Sequence, residues 1–147
     1  MKKYLSFILT IFLLSSCSKQ EQTSELIIET QNGKSVFEVE IASTPEKMQK
    51  GLMYRESMPE NHGMIFDVYP ARPIIMWMKN TLISLDMIFV SEDGTINQII
   101  KNTTPQSEKK LGKNIKSRAV IELNAGQTNK HNIHVGDKVK HEIFNNI

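Results

Sequence analysis

The chain has 147 residues, enough for one domain with a real core. Its 18 basic and 16 acidic residues give a formal charge of only +2, without the basic excess expected of a nucleic-acid binder. A single cysteine excludes an internal disulfide framework, so packing must hold the fold.

Met1-Lys2-Lys3 precede an apolar run from Tyr4 to Leu14, followed by Ser15-Ser16-Cys17. A positive start, a short apolar stretch and small residues before a cut site make a secretory signal. The run is too short to span a bilayer well. Leu14-Ser15-Ser16-Cys17 has the form of a bacterial lipobox, whose cysteine becomes the lipidated N-terminus after cleavage. We therefore expect residues 1–16 to be a lipoprotein signal peptide. Residues 17–25 are expected to be the lipidated Cys17 and a polar tether, and residues 26–147 a single domain. This places the domain outside the cytoplasm, in the cell envelope or periplasm, with the membrane as partner through Cys17. Loss of Lys2 and Lys3 with the signal lowers the basic count to 16, equal to the 16 acidic residues, so no nucleic-acid partner is expected.

Leu26 to Thr30 reads as a short strand, and Asn32-Gly33 after it is a strong hairpin signal. Val36 to Ile41 alternates, with Phe37, Val39 and Ile41 inward, as in a half-buried antiparallel strand. Thr44-Pro45-Glu46 starts a short helix: an N-cap, a proline at the first position and an acid near the positive end of the dipole. Met48 and Leu52 share one of its faces. Met64 to Val68 is a strand, broken by Tyr69-Pro70-Ala71-Arg72-Pro73.

The block from Met76 to Val90 then reads as two strands split at Leu82. Trp77, Lys79 and Thr81 share one face of the first, and Met76, Met78 and Asn80 the other. In the second, Ile83, Leu85, Met87 and Phe89 oppose Ser84, Asp86, Ile88 and Val90, a strand apolar on both faces for most of its length and hence covered on both sides. Asp86 then lies at the margin of the core, where it needs a cationic partner or backbone donors; Lys79 and Arg55 are the candidate cations. Glu92-Asp93-Gly94 makes a second tight turn, and Thr95 to Lys101 returns as a strand. Asn102 to Ser117 is a lysine-rich loop. Arg118 to Leu123 is a strand, Gln127 to Asn132 a short helix, and Lys138 to Phe144 the closing strand. The expected fold is mainly β, a compact antiparallel β-sandwich or barrel with two short helices.

With these pieces laid out, the chain resembles the bacterial and archaeal family known as domain of unknown function 192, from about Val36 to Val139. The resemblance is carried by Thr44-Pro45-Glu46 with Gly51-Leu52-Met53-Tyr54-Arg55, by Gly63-Met64-Ile65-Phe66, and above all by Trp77-Met78-Lys79-Asn80-Thr81 with Leu85-Asp86 and Phe89. Glu122-Leu123-Asn124-Ala125-Gly126 and Gly136-Asp137 close it. Ser84 departs from the family, which often has Pro before the Leu-Asp pair. The resemblance implies a compact mainly-β fold, often exported, and brings no established activity.

Chemistry-bearing residues are few. The serines lack an elbow-type glycine context, and no nucleophile–base pair stands out. His62, His131, His134 and His141 read as surface or turn histidines without a zinc ligand set, and no cofactor is expected. Three functional readings stay open. The first is a non-catalytic binding or accessory module for a small envelope ligand or partner, using Arg55, Trp77, Lys79, Asn80, Asp86 and Glu122. The second is a carboxylate-dependent enzyme on envelope glycan, if Asp86 and Glu122 converge on one cleft. The third uses the methionines, dense from Met53 to Met87, as soft Cu(I) ligands, completed by His62 and Trp77. Methionine is equally a core filler, and Met76 and Met78 share one expected strand face.

Overall fold

A computed structural model describes residues 23–146; the expected signal peptide, Cys17 and the start of the expected tether lie outside the described residues. β1 (Thr23–Thr30) and β2 (Gly33–Ala42) form the expected hairpin, with Thr30 opposite Gly33. β1 begins three residues before Leu26, because Thr23, Ser24 and Glu25 find partners in Glu40, Val39 and Glu38 of β2. α1 (Pro45–Lys50) is capped by Thr44, whose Oγ1 accepts from the Lys47 N–H at 3.3 Å. Gly51 ends it at a φ of 48°, and a Cβ there would stand 3.1 Å from the Phe66 ring. Only glycine meets both demands.

β3 (His62–Pro73) runs past the expected break; its ladder shifts register between Asp67 and Arg72, and Pro70 falls inside that shift. β4 (Leu85–Val90), β5 (Ile96–Ile100), β6 (Lys116–Asn124), α2 (Gln127–Lys130) and β7 (Lys138–Lys140) follow, then a 3₁₀ turn at Glu142–Phe144. The closing strand is thus shorter than expected. His141 leaves it, buried, to bond Ser24 Oγ at 2.7 Å, so it is not a surface histidine.

The seven strands make one sheet, in the order β5-β4-β6-β3-β2-β1-β7. All pairs are antiparallel except β2–β3, which is parallel. The expectation of an antiparallel fold needs this one correction. Its cause is the link through α1 and irregular chain, long enough to bring the backbone round in the same direction. The sheet curls into a half-barrel, because its two edges meet: Thr95 bridges Lys138, and the Val139 N–H donates to the Gly94 carbonyl at 2.8 Å. Inside the curl lies one apolar cluster, with Leu26, Phe37, Ile65, Ile88, Ile121 and Val139 among its members. A second cluster covers the outer face: Phe66, Leu85, Met87, Phe89 and Val120, beneath α1 and the chain from Ile74 to Ser84.

That Ile74–Ser84 stretch corrects a second expectation. Only the latter half of the central block is a strand; Ile74–Ser84 is a crossover with a single bridge, Met76 to Leu111. The alternation persists as far as Asn80, with Ile75, Trp77 and Lys79 exposed and Met78 buried. A ladder does not form, because the chain opposite is the irregular lysine-rich loop.

Asp86 is wholly buried, not marginal, and its partners are not the expected cations. Arg55 forms a two-pronged pair with Glu40 at 2.5 and 2.6 Å, and Lys79 pairs with Glu108 at 3.4 Å. Asp86 instead accepts from the N–H groups of Asn102 (2.9 Å), Gly126 (3.1 Å) and Thr128 (3.0 Å), and from the Thr128 hydroxyl (2.6 Å). One carboxylate thereby ties β4 to the loop after β5 and to the start of α2. Asp86→Ala strands these donors in the interior. It is expected to lower stability by about 3–5 kcal/mol, read as a fall in the urea midpoint; a change below about 1 kcal/mol would refute the role.

Candidate functional site

Register brings one row of side chains across the outer face. Glu40 of β2 lies opposite Met64 of β3, Met64 opposite Glu122 of β6, Glu122 opposite Met87 of β4, and Met87 opposite Ile100 of β5. In such a row the side chains are neighbours on one face. Over Glu122 the covering layer leaves a gap. A shallow pocket of about 30 Å³ opens there, between α1 with the residues after it and the 74–84 crossover. That is room for one or two water-sized groups. Met48, Leu52, Met53, Phe66, Met76, Trp77 and Thr81 wall it, Lys50 lines it from α1, and Glu122 forms its floor.

Glu122 is 4% exposed, and among the described residues its carboxyl has neither a hydrogen bond nor an ion pair. Burial alone pushes its pKa from 4.5 up to about 8, so at neutral pH the acid is mostly protonated. It then presents an O–H donor and a carbonyl acceptor to whatever enters. Trp77, half-exposed, supplies a large flat surface at the rim.

A clamp fixes the walls. The Tyr54 N–H donates to the Asn80 carbonyl at 2.9 Å, and Asn80 Nδ2 donates to Tyr54 Oη at 2.9 Å and to Met53 Sδ at 3.9 Å. Both residues hold left-handed backbone, φ 65° at Tyr54 and 55° at Asn80. This is uncommon for tyrosine and is held in place by the surrounding bonds.

Of the residues singled out in the sequence, Trp77 and Glu122 line the pocket, and Asn80 clamps its wall. Arg55 lies in an adjoining hollow with Glu40, Lys47, Lys50, Gly51 and Met64. Lys79 points away toward Glu108. Asp86 is on the opposite face of the sheet: it lies opposite Leu123, whereas Glu122 lies opposite Met87. The two acids therefore do not converge. The methionines divide as well. Met64, Met78 and Met87 are buried in the outer-face core; Met58 packs on its margin away from the pocket, and Met48, Met53 and Met76 are half-buried around the pocket, Met48 and Met76 also touching the core. His62 is engaged with Glu38 at 3.4 Å and is not among the pocket's lining residues. Among the described residues no group of three or more His, Cys, Asp or Glu could hold a metal. Sequence reasoning missed the α1 wall; the one-face pairing of Met48 and Leu52 was the available signal.

Fold and site together define a small curled-sheet β domain with an acid-floored pocket on its outer face. The chain belongs to the DUF192 family, described as "Uncharacterized ACR", whose model matches residues 27–141. Among solved structures it is similar to a Sinorhizobium meliloti 1021 protein provisionally described as a transcription regulator. The two share 37% identity with a TM-score of 0.81, over 84% of this chain and 96% of that one. It is likewise similar to a protein of unknown function from Novosphingobium aromaticivorans DSM 12444, at 34% identity and a TM-score of 0.81, over 85% of this chain and 89% of that one. No curated protein sequence matches significantly.

The Glu122 proton gives a pH signature. The folded chain keeps a proton that the unfolded chain loses near pH 4.5, so the stabilising contribution is complete below 4.5 and is lost as pH rises to about 8. The loss is on the order of 5 kcal/mol. His141, whose pKa burial lowers, acts in the opposite sense, losing stability as pH falls. Denaturation of the wild type and of Glu122→Gln across pH 4–9 isolates the acid: the alkaline decline is expected to flatten in the variant, and an equal decline in both would refute the assignment. Trp77, the only tryptophan, should emit with a red-shifted maximum and be readily quenched by acrylamide; blue, protected emission would contradict its place at the rim.

Proposed function

We propose that this chain is a lipid-anchored protein of the cell envelope, exported from the cytoplasm and held to the membrane through Cys17. We further infer that it is a non-catalytic binding module, with the Glu122 pocket taking a small envelope ligand. The observation that carries the binding reading is a buried carboxyl with no partner among the described residues, at the floor of an apolar pocket with an aromatic rim. The fold gains nothing from such an acid, since an apolar side chain there is neutral or stabilising. A perturbed acid in a concavity, with a few polar groups among apolar walls, is what a ligand site presents.

The paired-carboxylate reading finds no support in this arrangement. Asp86 faces the other side of the sheet with its oxygens already bonded, and among the described residues Glu122 is the only acid lining the pocket. A regulator of transcription, the description given to the Sinorhizobium relative, finds little support either: the longest helix among the described residues has six residues, too short to read a major groove.

Two measurements test the proposal. Cys17→Ala is expected to abolish palmitate labelling and leave an unprocessed precursor; continued labelling would refute the anchor. Native mass spectrometry of the full chain extracted from membranes should show a bound adduct on the wild type that Glu122→Leu lacks, although the variant is at least as stable. No adduct on the wild type, or the same adduct on the variant, would overturn the pocket reading.

A further inference from the structure

We propose that the occupant of this pocket is a single soft monovalent metal ion, Cu(I), held by the thioethers of Met48, Met53 and Met76 beside the Trp77 ring and above the Glu122 carboxyl. The inference rests on the pocket reading above and names its ligand.

The argument begins with how the structure sorts the methionines. Filling a core explains Met64, Met78 and Met87, which are 5%, 1% and 0% exposed. Of the four others among the described residues, Met48, Met58 and Met76 pack on the margin of that core, yet Met48, Met53 and Met76 also open onto a shared cavity. Met48 comes from α1, Met53 from the residues after Gly51, and Met76 from the crossover, and all three line one pocket. The sequence pattern suggested Met76 and Met78 as a pair; burial separates them and assigns Met76 to new companions. Met53 is also oriented, its sulfur held by Asn80 Nδ2 at 3.9 Å.

Size and donor chemistry narrow the occupant. About 30 Å³ admits an ion or a water-sized group, not a sugar ring. Thioethers are soft donors that select Cu(I), whereas Mg²⁺ and Ca²⁺ need a shell of oxygens, and zinc sites are built from thiolate, imidazole and carboxylate ligands. Among the described residues no histidine lines the pocket, and one carboxyl is the only anionic group there. The indole face adds attraction for a cation at the rim.

Binding is of the ion alone: Cu⁺ enters beside the Glu122 carboxyl, and no electron is transferred. The other charged group lining the pocket is Lys50 of α1. Along the same row Glu40 is engaged with Arg55, while Met64 and Met87, the cross-strand neighbours of Glu122, carry no charge. Lys79 of the crossover is turned to Glu108.

The test uses the full chain carrying Cys17→Ala, so that no thiol competes, titrated anaerobically with Cu(I) from a chromophoric chelator while Trp77 emission is followed. One equivalent should transfer and quench the emission. The volume-conserving triple variant Met48→Leu, Met53→Leu, Met76→Leu should lose at least 100-fold in affinity, whereas Met78→Leu should bind as the parent does. Circular dichroism and the alkaline stability decline show whether the triple variant keeps its fold. Failure of the chelator to surrender Cu(I), or undiminished binding by the triple variant, would overturn the proposal. If the membrane-extracted chain still carries an adduct that Glu122→Leu lacks, only the ion falls and the pocket stands; if that adduct is missing too, both fall.

Discussion

The buried carboxylate of Asp86, satisfied by four donors and no cation, is the constraint on which the outer face depends. A carboxyl group in the interior is tolerable only when its lone pairs are filled. Here they are filled by the backbone of two separate segments and by one hydroxyl. The arrangement works only if β4 presents Asp86 to the inner side. That choice sends Leu85, Met87 and Phe89 outward. A slip of one residue would exchange the two sets, so this acid and the apolar pattern enforce the same register. The position of Met87 beside Glu122 follows from it.

The two buried acids of the ladder have opposite circumstances. Asp86 has every partner it needs and serves the fold. Glu122 sits one strand away on the other face with none among the described residues, and burial drives it toward its neutral form. The contrast lies in the backbone opposite each side chain. Asp86 faces a turn and a helix start, where N–H groups are free of ladder bonds. Glu122 faces side chains of α1 and the crossover, which offer mostly sulfur, aromatic carbon and methyl groups, with Gln49, Lys50 and Thr81 as the polar part of the lining.

Much of the strand inventory was legible in the sequence, because alternation along Val36–Ile41 and Arg118–Leu123 and the turn residues at Asn32-Gly33 and Asp93-Gly94 are local signals. The parallel pairing of β2 with β3 was not, since it depends on where a chain returns after α1. The 74–84 crossover kept the alternation of a strand without a partner to pair with, so pattern alone could not tell it from one. Site residues followed the same division. Trp77 and Glu122 were conspicuous by type, an aromatic and an acid among apolar neighbours. Their separation from Asp86 needed the cross-strand register, and the sorting of methionines into core and pocket needed burial.

The meeting of β5 and β7 bears on how the molecule behaves in company. A sheet of seven strands normally ends in two rows of unpaired N–H and C=O groups, a template on which another chain can add. Here the two borders lean on each other through Thr95 and Lys138, and the ion pair of Lys138 with Asp93 at 2.9 Å fastens the junction. β7 has three residues, two of them lysine. A border so short, charged and self-engaged offers little to a neighbouring copy. The curl that encloses the inner core also gives the domain a defence against edge-to-edge self-assembly.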